Sequence, residues 1–138
     1  MNITQAQSIH LRELVALDAR NIGDERRQGT ISAAITQGCA WLAEDQGEVA
    51  GFALVHQHFF DHPFIELLMV HPAQRRRGVA SALLAAIEAR YAPDKLFTST
   101  NQSNLPMQAL CAARGYLAAG VVLHLDPSDP ELIFVKLL

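Results

Sequence analysis

Three consecutive arginines, Arg75, Arg76 and Arg77, stand directly before Gly78 and a helix-forming run that opens with Val79, Ala80 and Ser81. The first amides of such a helix, from Gly78 to Ser81, have no acceptor inside the helix, and the helix dipole adds partial positive charge there. With full charges beside them, these amides make an anion site suited to a phosphate or pyrophosphate. Gly78 lets the backbone at the helix entrance come close to a bulky group. Just upstream, Leu67, Leu68, Met69 and Val70 form an apolar run, which Pro72 ends because it has no ladder donor. Glu66 is an ionisable residue inside the otherwise apolar stretch Phe64–Val70. Strand parity places it on one face with Leu68 and Val70, and burial there would suit a carboxylate to general-base work.

The pattern V-x-P-x-x-R-R-x-G-x-A, from Val70 to Ala80, resembles the pyrophosphate-binding signature Q/R-x-x-G-x-G/A of the GNAT superfamily of N-acetyltransferases. A second stretch, from Asn104 through Leu110, Cys111 and Gly115 to Tyr116, is similar to that family's closing motif N-x-x-A-x-x-L-Y-x-x-x-G-F. The resemblance implies acetyl-CoA as co-substrate. Its pyrophosphate would lie on the amides from Arg76 to Ser81, with Arg75 or Arg76 as charged neighbours. Its pantetheine arm would pair with the backbone of Leu68, Met69 and Val70, and Asn104 could both bond that arm and cap its own helix. A backbone amide near Met69 or Val70 would polarise the thioester carbonyl. The family's usual acid, a tyrosine, falls on Cys111. A thiol could in principle protonate the leaving sulfur, but the simpler reading is a small apolar helix residue. Tyr116 stands at the family's aromatic position after glycine and reads as core.

Around this centre, Phe60, His62 and Phe64, with His58 and Phe59, form a candidate rim of the acceptor pocket. Asp24 and Glu25 could attract a cationic amine; the alternative is a wet loop beside aromatic core residues. His56, His58 and His62 invite a zinc reading. No cysteine or carboxylate pattern completes such a site, so no metal is assigned.

These residues need elements to hold them. A short strand near Ile3–Ala6 precedes a helix capped by Ser8 and running to about Ala19, with Leu11, Leu14, Val15 and Leu17 inward. A weaker helix covers Thr30–Gln37. Cys39–Glu44 and Glu48–Phe59 read as a hairpin around Asp45-Gln46-Gly47, followed by the strand Phe64–Val70. The central helix carries Val79, Leu83 and Ile87 at four-residue spacing and ends near Tyr91. Lys95–Thr100 is a strand, Asn104 caps a helix that Gly115 ends, and Tyr116–Leu125 and Leu132–Leu137 are strands. The fold class is therefore α/β (α+β): a GNAT-like mixed, twisted, mostly antiparallel sheet of six to seven strands flanked by about four helices.

The chain has 138 residues, half of them apolar, and a net charge of −3, which fits one domain with its own core. The arginine cluster is local, so neither nucleic acid nor membrane is an expected partner. Two distant cysteines, Cys39 and Cys111, point to free thiols in a reducing compartment, and the N-terminus lacks a signal-peptide pattern. These features fit a cytoplasmic protein. The resulting expectation is an N-acetyltransferase acting by direct attack on a primary amine of a small molecule or peptide, as a monomer or homodimer. The rival is a catalytically weak acetyl-CoA sensor. A transfer-RNA-acetylating reading is disfavoured by the acidic balance.

Overall fold

The computed structural model describes all residues, Met1–Leu138. It divides into two compact units. The first, Met1–His56 with Glu66–Ile87, holds the N-terminal strands, the first two helices and most of the central helix. Strand β1 (Asn2–Gln5) pairs antiparallel with β2 (Ala40–Asp45), and β2 with β3 (Glu48–Phe59). Gln46 and Gly47 both take positive φ, the backbone of a two-residue hairpin turn whose twist matches its strands. A bulge shifts the register between Ala43 and Glu44, leaving Ala50 as the extra residue of β3.

Helix α1 (Leu11–Ile22) presents Leu14, Val15 and Leu17 to this sheet, and α2 (Gln28–Thr36) adds Ile31 and Ala34. They meet Leu42, Phe52, Leu54 and Leu67 in one buried cluster, each large side chain contributing about 1.5–3 kcal/mol by burial. The expected Ser8 cap is not the device used. A 3₁₀ turn, Ser8–His10, precedes α1, and Gln7 and His10 close it reciprocally, the Gln7 amide donating to His10 Nδ1 at 2.9 Å. Asp18, buried on α1, is held by Arg27 at the entrance of α2, 2.9 Å away. Helix α3 (Val79–Tyr91) follows the arginine turn, and Val79, Leu83 and Ile87 are all buried, as their spacing predicts.

The second unit comprises Gln57–Ile65 and Glu88–Leu138. Here β3 turns into β4 (His62–Val70) through Phe60 and Asp61, both at positive φ. β4 pairs parallel with β5 (Lys95–Asn101) at Phe64–Phe97 and Ile65–Thr98. Asn104 caps α4 (Leu105–Ala113), its Oδ1 accepting from the Met107 amide at 3.2 Å. Beyond α4, β6 (Leu117–Val122) and β7 (Glu131–Leu137) are antiparallel, and β7 also lies antiparallel to β5. The strand order is β1-β2-β3-β4-β5-β7-β6, so the fold class is as the sequence predicts, with β4–β5 the parallel pair. No helix is long and apolar enough to cross a membrane.

Glu88, near the end of α3, is almost fully buried. Arg114 donates to both its oxygens, at 3.1 and 2.7 Å, Lys136 donates to one at 3.0 Å, and the Tyr116 hydroxyl donates at 2.9 Å. Burial opposes its ionisation, but these hydrogen bonds overcome it and hold the carboxyl below its usual range. The network ties the end of α3 to the end of α4 and to β7.

Candidate acyl-coenzyme A site

The structure gathers the arginine turn, the end of β4 and the start of α3 in the first unit. His71 ends the strand, a 3₁₀ turn covers Pro72–Gln74, and Arg75 is extended at φ −65° and ψ 149°. Arg76 and Gly78 then both take left-handed φ, +63° and +78°. Left-handed residues interleaved in a turn at a helix start are the kind of backbone from which anion-binding nests are built. Gly78 earns its place through that φ. A β-carbon there would meet nothing within 4 Å, so the approach to the helix entrance is open. Its carbonyl accepts from the Ala82 amide at 2.9 Å, which makes Gly78 the residue from which α3 starts and leaves the amides of Val79, Ala80 and Ser81 without helical acceptors. Arg75, Arg76 and Arg77 are exposed. The Arg75 guanidinium rests 3.4 Å from Asn21 Oδ1, and Arg20 lies 3.1 Å from His71 Nε2. The donor set, the open entrance and the positive charge fit a pyrophosphate.

Backbone direction on β4 selects among the three candidate strand residues. The His71 amide donates to Ala50 on β3 at 2.8 Å, and the Met69 carbonyl faces Gly51 of the same strand. Amide and carbonyl directions alternate along an extended strand. Leu68 and Val70 therefore direct their amides and carbonyls to the edge away from β3, while Met69 is committed toward it. Gly51 is the residue that sequence reasoning passed over. An added β-carbon would lie 2.6 Å from the Met69 oxygen and 3.0 Å from a Val79 methyl. An isolated glycine in a long strand is the available signal for such an approach.

Glu66 follows the short stretch of β4 paired with β5, and its side chain is exposed. The burial expected for it is therefore corrected: Leu67 takes the buried side, and the face of Glu66 and Leu68 is the open one. Cys111 has no exposed surface, and burial pushes its thiol up to about 11. It packs against its surroundings instead of facing solvent. Tyr116 is also buried, raised by burial and by the Glu88 carboxylate that its hydroxyl faces.

The proposed acceptor residues separate. Asp24 is exposed in the α1–α2 loop, where its carboxylate accepts from the Arg26 amide at 3.1 Å and pairs with the Arg26 side chain at 3.5 Å. Phe60 tops the β3–β4 turn, 82 % exposed and edge-on to Phe59. Phe64 lies 4.9 Å from Phe59, which is 4.8 Å from Phe97. His62 Nδ1 sits 2.6 Å from Asp94, whose carboxyl is held below its usual range by the Lys95 amide first and then by His62. Phe60, His62 and Phe64 thus form one aromatic group in the second unit, and Asp24 belongs to the first.

The family model described as the acetyltransferase (GNAT) family matches residues 8–116, which include parts of both units. The chain belongs to the GNAT acetyltransferase family. A GNAT-family acetyltransferase of Bacillus cereus ATCC 10987 is 36 % identical and superposes with a TM-score of 0.94, over 98 % of this chain and 95 % of that one. Mycothiol acetyltransferase of Rhodococcus jostii (strain RHA1) is 30 % identical over 130 residues, covering 89 % of this chain but 42 % of its own length. The chain thus spans less than half of that relative. An aminoglycoside 6'-N-acetyltransferase solved with coenzyme A is 16 % identical and shares the fold, with a TM-score of 0.83 over 99 % of this chain and 96 % of that one.

Proposed function

We propose that this GNAT acetyltransferase moves the acetyl group of acetyl-CoA to a primary amine of a small molecule or peptide, by direct attack and without a covalent enzyme intermediate. The observation that carries the reading is the left-handed pair Arg76 and Gly78 at the open entrance of α3, flanked by arginines. The amides from Arg76 to Ser81 would hold the pyrophosphate, with Arg75 or Arg76 as charged neighbours. The outward backbone of Leu68 and Val70 would bind the pantetheine arm, and Asn104, which caps α4, is a further candidate for bonding that arm. Acetyl-CoA supplies an activated acyl group. The Val70 amide is the donor for charge developing on the carbonyl oxygen.

Glu66 is the candidate base. Being exposed, it reaches an incoming ammonium directly or through one water and takes its proton before attack. Phe60, His62 and Phe64 are the candidate aromatic rim for the acceptor, and Asp24 is a candidate attraction for its positive charge. Cys111, buried, is the weakest of the catalytic candidates, so the departing thiolate takes its proton from solvent. That absence of a tyrosine also motivates the second reading, an acetyl-CoA sensor without turnover. The test is thiol release from acetyl-CoA with a panel of small amines and N-terminal peptides. Amine-dependent release supports the enzyme; saturable binding with no release across the panel supports the sensor.

A further inference from the structure

Strand β6 is the terminal strand of the sheet, with β7 as its neighbour. Every residue from Leu117 to Val122 is exposed, on both faces of the strand. Leu117 is 57 % and Val121 56 % exposed, and the exposure continues into Leu123 and Leu125. No charged residue or proline occurs between Leu117 and Leu123. Edge strands are normally blunted by lysine, proline or a covering element, because their unpaired amides and carbonyls template further pairing. Here both faces and the outer edge are apolar and open. An antiparallel strand with one solvated face ordinarily alternates polar residues onto it; β6 does not.

The charges at its ends specify the occupant. Lys136 and Arg114 flank the Leu117 end and, set against Glu88, leave one net positive charge there. Leu117 stands opposite Val135 in register, next to Lys136. At the other end Val122 stands opposite Glu131, and Asp126 and Asp129 follow in the connection. The ribbon is positive at one end, negative at the other and uncharged between. A second copy laid antiparallel on the same edge matches unlike ends and meets no charge in the middle; such a contact is two-fold and self-complementary.

We propose that β6 is the seam of a homodimer in which two copies pair antiparallel along this edge and cover each other's Leu117–Leu125 surface. This does not depend on the acetyl-transfer reading. Sedimentation velocity of the full chain, from micromolar to millimolar concentration, tests it. The expected result is a reversible dimer that Val121→Lys and, separately, Leu117→Glu weaken at least ~10-fold, because Val121→Lys brings two lysines together near the two-fold and Leu117→Glu sets a carboxylate against the partner copy's acidic end. Both side chains are more than half exposed, so far-UV circular dichroism and melting should stay those of the parent. A parent chain that remains monomeric at millimolar concentration overturns the proposal. So does a dimer that both folded variants leave intact.

Discussion

The β-carbon that Gly51 lacks would sit 2.6 Å from the carbonyl oxygen of Met69. Two strands and the first residue of α3 meet at that point, since Val79 stands 3.0 Å from the same position. The strand whose outer edge is proposed to bind acetyl-CoA is thus seated by a missing side chain one strand away. Gly51→Ala cannot be absorbed by a rotamer change, because the nearest atom is backbone. It should cost about 1–3 kcal/mol and weaken acetyl-CoA binding in whatever fraction remains folded. Gly29→Ala, in open space within α2, should instead hold or raise stability by about 0.4–1 kcal/mol. Paired thermal melts check both.

Gly78 separates backbone from electrostatics. Gly78→Ala places a β-carbon in open space but at φ +78°, so stability should fall by about 1 kcal/mol, with binding reduced. Gly78→Asp adds a carboxylate where the pyrophosphate is to lie and should abolish binding in a folded protein. Undiminished binding by Gly78→Asp would remove the cradle from the account.

Glu88→Gln leaves Arg114 and Lys136 without their carboxylate and should cost about 3 kcal/mol, or a fall in Tm of roughly 10 °C. The pH dependence has a fixed sign. The folded carboxyl lies below its usual range, so its contribution is complete above the unfolded carboxylate pKa and is lost as pH falls through the folded value. Parent and variant melts should differ most near neutrality and converge in acid. A constant gap down through that range would contradict the ionic network.

Much of this architecture is legible in the sequence, because its signals are local. Gln46-Gly47 carries its own turn chemistry, Asn104 its own cap, and Val79, Leu83 and Ile87 their own period. The second hairpin is less readable, since Phe60 and Asp61 adopt positive φ without the usual glycine. The Glu88 network joins residues up to 48 positions apart, and no local pattern reports it. Parity put Glu66 on the right strand face with Leu68, but parity cannot say whether that face is covered. The left-handed turn at Arg76 and Gly78 has its glycine as a local signal; which strand amides face outward has none, because that depends on the direction in which His71 bonds to β3.

Cys111 and Glu66 answer to different tests. Cys111→Ala should retain turnover while lowering stability, and the native thiol should resist alkylation faster reagents achieve at the partly exposed Cys39. Glu66→Gln should lower kcat and alter its pH profile with acetyl-CoA affinity nearly unchanged. If Cys111→Ala abolishes turnover in a folded protein, the thiol returns as the acid; an unaltered profile in Glu66→Gln removes the carboxylate from proton transfer.

The most direct test is a calorimetric titration of the purified protein with acetyl-CoA, with adenosine and free pantetheine as controls. The account predicts one saturable site for acetyl-CoA and much weaker binding of both controls, because the pyrophosphate on the Arg75–Ser81 cradle supplies the main anchor. No binding of acetyl-CoA at millimolar concentration by the folded protein, or equal binding of pantetheine alone, would contradict it.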